Sequence, residues 1–416
     1  MREFWGALPT EGRWLLSTVA LQTLGRGLTL PFTIIYLHEV RGFDLGLSGA
    51  LMSIIAVTGL LVTGPGGTLI DRYGARSILL AGLASMMLGC SLLAFATEPG
   101  MAALALVLIG VNFGVSWPGL NALIASIVSG NLRQQYFGVN FALLNLGIGV
   151  GGIIGGFYVD VSRPETFTVI FLLNAASSLV PAALLLGPLR HVRTQTAPDE
   201  DQPVGGYREI LRQPAVRWLT LLTFISVFIG YGQMEAGFPA YARQVSHVST
   251  QVVGFSFAVN TAVIVLLQFT VLKHISGRRR TRVMVVMAAV WATSWVVLGA
   301  SGLLPGTLAA AIGVLGYMGV FAFGETLLQP TVPAVYNDLA SDSTRGRYNA
   351  INSAAFQAGT ITGPVAAGLL LEHDLGAWYI ALMVAGCAGI CVLASVLERR
   401  IPATANGMPA SEPAAG

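Results

Sequence analysis

Apolar runs separated by short polar stretches succeed one another along the whole chain, at residues 14–37, 46–70, 77–97, 101–127, 136–159, 167–189, 217–241, 250–273, 282–303, 307–337, 348–370 and 376–397. At a rise of 1.5 Å per residue, about twenty helical residues cross a hydrocarbon core roughly 30 Å thick, and every run reaches that length. None alternates apolar and polar positions as the strands of a membrane barrel do. In lipid the backbone must pair within its own segment, so the pattern predicts an all-α integral membrane protein with twelve transmembrane helices.

Composition agrees, since 54% of residues are hydrophobic and only 10% charged, where a soluble domain carries about 25% charge. Most of the fifty glycines and nineteen prolines fall inside apolar runs, where they serve close helix packing and kinks. Cys90, Cys387 and Cys391 also lie in apolar runs, without metal-ligand spacing, and read as small hydrophobes. Residues 1–13 lack the features of a removable signal peptide. The one long polar interruption, residues 190–216, holds the acidic run Asp199, Glu200, Asp201 and reads as a linker, with residues 207–217 as a short interfacial helix. Four regions follow: a six-helix bundle at 1–189, a cytoplasmic linker at 190–216, a second bundle at 217–400 and a disordered tail at 401–416. If both termini are cytoplasmic, nineteen of the 23 Lys and Arg residues lie inside and three (Arg41, Arg163, Arg243) outside, as the positive-inside rule requires.

The two bundles repeat one another. At an offset of 205 residues, Gly25 matches Gly230, Gly27 matches Gly232, Tyr36 matches Tyr241 and Gly49 matches Gly254. At 212, Pro118 matches Pro330, Tyr136 matches Tyr348, Asn140 matches Asn352, Gly147 matches Gly359, Gly151 matches Gly363 and Gly156 matches Gly368. Two pseudo-symmetric six-helix bundles point to a transporter whose substrate site lies between the repeats near the midplane.

After the second run the sequence places Gly67, Asp71, Arg72, Gly74 and Arg76 in a short basic loop. This resembles the loop signature of the major facilitator superfamily, with Ala75 where a basic residue is usual. Physically, Gly67 would let two helices approach and Gly74 would permit the tight turn; the resemblance makes the five residues a gating loop. The runs Gly147 to Gly156 and Gly359 to Gly368 look like the glycine-proline signature associated there with antiporters, Gly152 standing where the proline is usual. Among subfamilies the chain looks most like bacterial twelve-helix multidrug:proton antiporters, although its fourth run lacks the arginine many of those carry.

Three ionisable residues sit well inside runs: Arg26, Glu235 and Glu325. Each is costly in hydrocarbon and should face a partner or a cavity. The resemblance places the first, fourth, seventh and tenth helices around the central cavity. Gln22, Arg26, Thr29, Thr33 and Tyr36 share one helical face. Asn112, Trp117, Asn121, Tyr231, Gln233, Phe321 and Gln329 would complete an amphipathic substrate lining. Glu235 or Glu325 could carry a coupling proton, tuned by Arg26, because burial and a nearby guanidinium act oppositely on a carboxyl group; a static buried ion pair and recognition of a charged substrate are the alternatives. The expected function is proton-coupled efflux of drug-like amphiphiles from the cell (inner) membrane, against uptake of a sugar or organic anion, or a non-transporting sensor or scaffold.

The five histidines show no metal spacing, and no HExxH, nucleophile elbow or Walker loop is present, which excludes the usual hydrolytic and ATP-driven machinery. The expected partners are a small-molecule substrate, protons and lipid, with no cofactor, metal or nucleic acid, in a monomer. A fluorescent protein fused after Arg400 is expected to fluoresce and to resist externally added protease; a protease-sensitive, dark fusion would place the carboxyl terminus on the other side.

Overall fold

The structure, a computed structural model, describes residues 2–128, 130–192, 207–340 and 345–408, which form helices and turns without a β-sheet. A short helix, Arg2–Ala7, precedes the first span, which runs as Thr10–Thr29, Thr33–Ile35 and a π-helical turn, Tyr36–Val40. Spans two to six are Leu45–Tyr73, Ala75–Ala94, Pro99–Ile127, Gly130–Tyr158 and the pair Pro164–Ser177 and Leu179–Leu186. The seventh comprises Pro214–Ile229, Tyr231–Met234 and Gly237–Gln244. Spans eight to twelve are Thr250–Ile275, Arg280–Ser301, Leu308–Leu339, Arg345–Glu372 and Gly376–Glu398. Among the described residues, eleven helices are long and apolar enough to cross a membrane; the broken first span makes the twelfth crossing.

The breaks have local causes. Pro31 has no N–H to donate, and the first span opens at residues 30–32 beside it. In the seventh span the interruptions fall at Gly230 (φ −108°, ψ −98°) and Ala236 (φ −135°, ψ −61°), just before Pro239. Pro118, Pro330, Pro333 and Pro364 stay within continuous helices. The first and last described residues lie at the same, proximal end of the twelve-span bundle; the loop at residues 41–44 marks the distal end.

The repeated glycines do matching work in the two halves. A Cβ on Gly147 or Gly151 would lie 2.5 Å from Ala20 O or 2.3 Å from Leu24 O, so the fifth span rests on the first backbone to backbone. Their counterparts Gly359 and Gly363 pack on Val227 and Gly232 of the seventh. The seams between the halves repeat in the same way. A Cβ on Gly49 would lie 2.3 Å from Pro364 O, and one on Gly254 2.3 Å from Gly152 O. From the distal end inward, the halves are also tied by Arg243 with Glu39, by Gly46 N donating to Glu372 Oε2 (2.9 Å), by Ser53 Oγ donating to Ile361 O (2.6 Å) and by Thr261 Oγ1 donating to Asn145 O (3.1 Å).

Several expectations are corrected. The seventh span starts at Pro214, whose ring suits a first helical turn, so the linker ends before residue 216 and the interfacial helix is only Tyr207–Arg212; most of the linker lies outside the described residues. Gly67 is not a point of close approach, since nothing lies within 4 Å of its Cβ position; the neighbouring Gly66 meets Val115 at 3.1 Å instead. Gly74 does turn the chain, at φ +83°. The tail, expected to be disordered from residue 401, folds back through residue 408. Arg280 N donates to Asn406 O (2.9 Å), and Asn406 Oδ1 accepts from Thr281 N (3.0 Å) at the start of the ninth span, which sequence periodicity could not foresee. Residues 409–416 lie outside the described ones.

Gly151→Ala is expected to lower the unfolding midpoint in detergent, with a loss on the order of 1–3 kcal/mol from overpacking against a backbone carbonyl. Gly67→Ala, facing open space, is expected to leave the midpoint unchanged or slightly raised; equal losses from both would contradict this packing.

Candidate functional site

The breaks in the first and seventh spans set the site. Arg26 lies in the last turn of Thr10–Thr29, one turn before Leu30, whose N–H donates to Arg26 O (2.8 Å). Glu235 occupies the break after Tyr231–Met234. Their side chains meet across the two halves, Arg26 Nη2 donating to Glu235 Oε1 at 3.0 Å. Both remain partly open, with side-chain exposures of 41% and 35%, and the Arg26 guanidinium also lies 5.8 Å from the centre of the Phe113 ring.

Glu325 is placed differently. It is 6% exposed, and its partner is Asn260 of the eighth span, whose Nδ2 donates to Glu325 Oε2. The Tyr231 hydroxyl neighbours the same carboxyl group and accepts from Gln329 Nε2 at 2.6 Å. Glu325 and Gln329 stand four residues apart on the tenth span, hence on one face.

These residues wall a cavity of about 440 Å³ between the halves, a size that suits a drug-sized ligand. The first half supplies Arg26, Thr29 and Asn112 with apolar Met52, Met86 and Phe113; the second supplies Tyr231, Glu235, Glu325 and Gln329 with Phe257 and Phe356. Thr29 Oγ1 accepts from Asn174 Nδ2 at 2.9 Å. The Asn112 Nδ2 atom is buried with no hydrogen-bond partner among the described residues.

Of the residues expected from the sequence, Arg26, Thr29, Asn112, Tyr231, Glu235, Glu325 and Gln329 come together in this cavity. Gln22, Tyr36, Trp117, Asn121, Gln233 and Phe321 do not line it. Tyr36 is fully buried between Phe167 and Phe171, with its hydroxyl donating to Leu93 O (2.8 Å). Gln233 is fully buried too, donating from Nε2 to Phe228 O (2.7 Å) and accepting from Tyr379 OH (3.0 Å). Phe321 stacks on Trp291 at 4.8 Å. Trp117 lies one helical turn beyond the cavity residue Phe113 and packs beside Phe137, and Asn121 lies a further turn on. Gln22 lies one turn proximal of Arg26, where Ser177 Oγ donates to its carbonyl (3.5 Å).

In the loop after the second span, Arg76 Nε donates to Leu185 O (2.6 Å) and Arg72 lies over the Tyr73 ring; the Asp71 side chain is outside the described ones. Sequence reasoning missed Asn260 and Gln268 in the eighth span, Asn145 in the fifth, Asn174 in the sixth and Thr360 in the eleventh, all on the cavity wall. A lone amide or hydroxyl inside an apolar run was the available signal.

A profile of the Major Facilitator Superfamily matches residues 15–322 and 290–414. The chain belongs to this superfamily. It is similar to the quinolone resistance protein NorA of Staphylococcus aureus, 24% identical over 388 residues that cover 91% of this chain and 94% of the relative. It is also similar to the MFS-type transporter YttB of Bacillus subtilis, 23% identical over 384 residues, 91% and 92% of the two chains. Among solved structures, a POT family transporter in complex with 5-aminolevulinic acid superposes with a TM-score of 0.76 at 15% identity, covering 94% of this chain and 96% of that one. The nucleoside transporter NupG gives 0.70 at 12% identity, covering 94% and 99%; at such identities these two likenesses establish the fold alone. Membership of the major facilitator superfamily makes the chain a multi-pass membrane transporter of small molecules rather than an enzyme.

Tyr36→Phe is expected to lower stability by about 0.5–1.5 kcal/mol through its lost hydrogen bond, without changing ligand affinity. Tyr231→Phe is expected to do the reverse, altering ligand binding in detergent at nearly constant unfolding midpoint, because its hydroxyl works at the cavity wall.

Proposed function

We propose that this protein is a monomeric, proton-coupled exporter of amphiphilic drug-like molecules in the cell (inner) membrane, with both termini cytoplasmic. The two six-helix bundles, the second beginning at Pro214, would rock about the cavity, with the linker between them at the cytoplasmic face, so that the cavity opens to one side at a time. The observation that carries this reading is the contrast between two carboxyl groups on one cavity. Glu235 is held by a guanidinium from the opposite half; Glu325 hydrogen-bonds the neutral Asn260 and Tyr231, and no salt bridge holds it among the described residues. Taking up a proton at Glu325 removes the cost of a charge buried without a counter-ion, while opening of the cavity to water on one side would let the proton leave. The aromatic and methionine lining accepts apolar bodies of varied shape, and the quinolone resistance named for the Staphylococcus aureus relative supports a drug-like cargo.

In proteoliposomes with an imposed pH gradient, export of a fluorescent amphiphile is expected from the unaltered protein and is expected to fall at least about 100-fold in Glu325→Gln, as for loss of an essential proton carrier. Glu235→Gln is expected to retain gradient dependence with weaker substrate binding. Transport that ignores the gradient overturns proton coupling, and transport driven only in the uptake direction replaces export with nutrient uptake.

A further inference from the structure

We propose that the preferred cargo is a zwitterion with an apolar body: its carboxylate engages Arg26 and its ammonium group engages Glu235, replacing the ion pair between them. This rests on the reading of the central cavity as the transport site. Arg26 and Glu235 come from opposite halves, meet at 3.0 Å and are each more than a third exposed, so a ligand entering the cavity reaches both. A ligand with a single charge can satisfy one partner only by leaving the other unpaired in a largely apolar wall, and that cost offsets the attraction to the first. An ammonium and a carboxylate held close together on one scaffold restore two opposite-charge contacts for the one that is broken. Glu325 does not disturb this balance when it carries a proton, since Asn260 and Tyr231 already occupy it.

The same exchange gives the cargo leverage on the transport cycle. The Arg26 and Glu235 pair ties the first span of one half to the seventh span of the other. A zwitterion seated between them loosens a direct tie and substitutes a bridge through itself. Met52, Met86, Phe113, Phe141, Phe257 and Phe356 around it would hold the apolar body.

Three fluorescent ligands on one scaffold test the assignment by equilibrium binding to the intact protein in detergent at neutral pH without any gradient: Nε-dansyl-lysine (a zwitterion), its methyl ester (a cation) and its Nα-acetyl derivative (an anion). The zwitterion is expected to bind roughly tenfold or more tightly than either of the others. Arg26→Gln is expected to bring its affinity down to that of the ester, and Glu235→Gln to that of the acetyl derivative. The ranking in the unaltered protein does not depend on whether the variants fold. Equal affinities, or tightest binding by the ester or the acetyl derivative, overturn the zwitterion assignment while leaving proton-driven export of other amphiphiles standing; loss of gradient-driven export with the ranking intact would sink the export reading alone.

Discussion

A polar group inside a membrane cannot fall back on water, so each one along these spans is either paired, seated on an internal cavity or costly. Arg26 illustrates how far this constraint reaches. Its guanidinium cannot stand alone in hydrocarbon, and the partner it finds is Glu235, on the other half of the molecule. Arg26 sits in the last helical turn before the break of the first span and Glu235 in a break of the seventh, and their pairing joins the two halves at that depth. The cavity is the space this arrangement leaves.

Apolar attraction between helices gives little help in lipid, because the surroundings are as apolar as the side chains. Close backbone contact must supply the packing, and glycines inside the spans provide it. The seams at Gly49 with Pro364 and at Gly254 with Gly152 are related by the internal repeat, as are the contacts of the fifth span on the first and of the eleventh on the seventh. Two equivalent seams thus join the halves. The ties nearer the distal end, Glu39 with Arg243 and Gly46 with Glu372, are few, polar and individually breakable. Strong packing within each half and separable contacts between halves are what alternating access demands of a fold.

Within the cavity, two carboxyl groups of the same broad type acquire different chemistry from their neighbours. Glu235 has a charged partner and partial exposure, whereas Glu325 has amide and phenol neighbours and little exposure. A group held by a counter-ion is suited to exchanging that ion for another, and a group with neutral partners is suited to exchanging a proton. The tail adds a support at the proximal end, where Asn406 meets the first residues of the ninth span and Arg280 pairs with Asp338 of the tenth, holding three segments of the second half in register.

The twelve crossings, the two halves, the loop signature and the three intramembrane charges follow from the sequence alone, because hydropathy, charge sorting and residue repeats act along the chain and need no knowledge of neighbours. Glycine periodicity even exposed the repeat that the packing explains. What only the tertiary structure decided is which residues face one another. Helical periodicity gives the face of a side chain but not what stands opposite, so Tyr36, Gln233 and Phe321, each on a cavity-forming span, turn out to be packed between helices, while Asn260 and Asn174 reach the cavity from spans with no charge near mid-membrane. The pairing of Arg26 with Glu235, 209 residues apart, and of Glu325 with Asn260, 65 apart, depends on the crossing of helices in three dimensions. Charges within a span announce that partners must exist; the packing of the halves determines who they are.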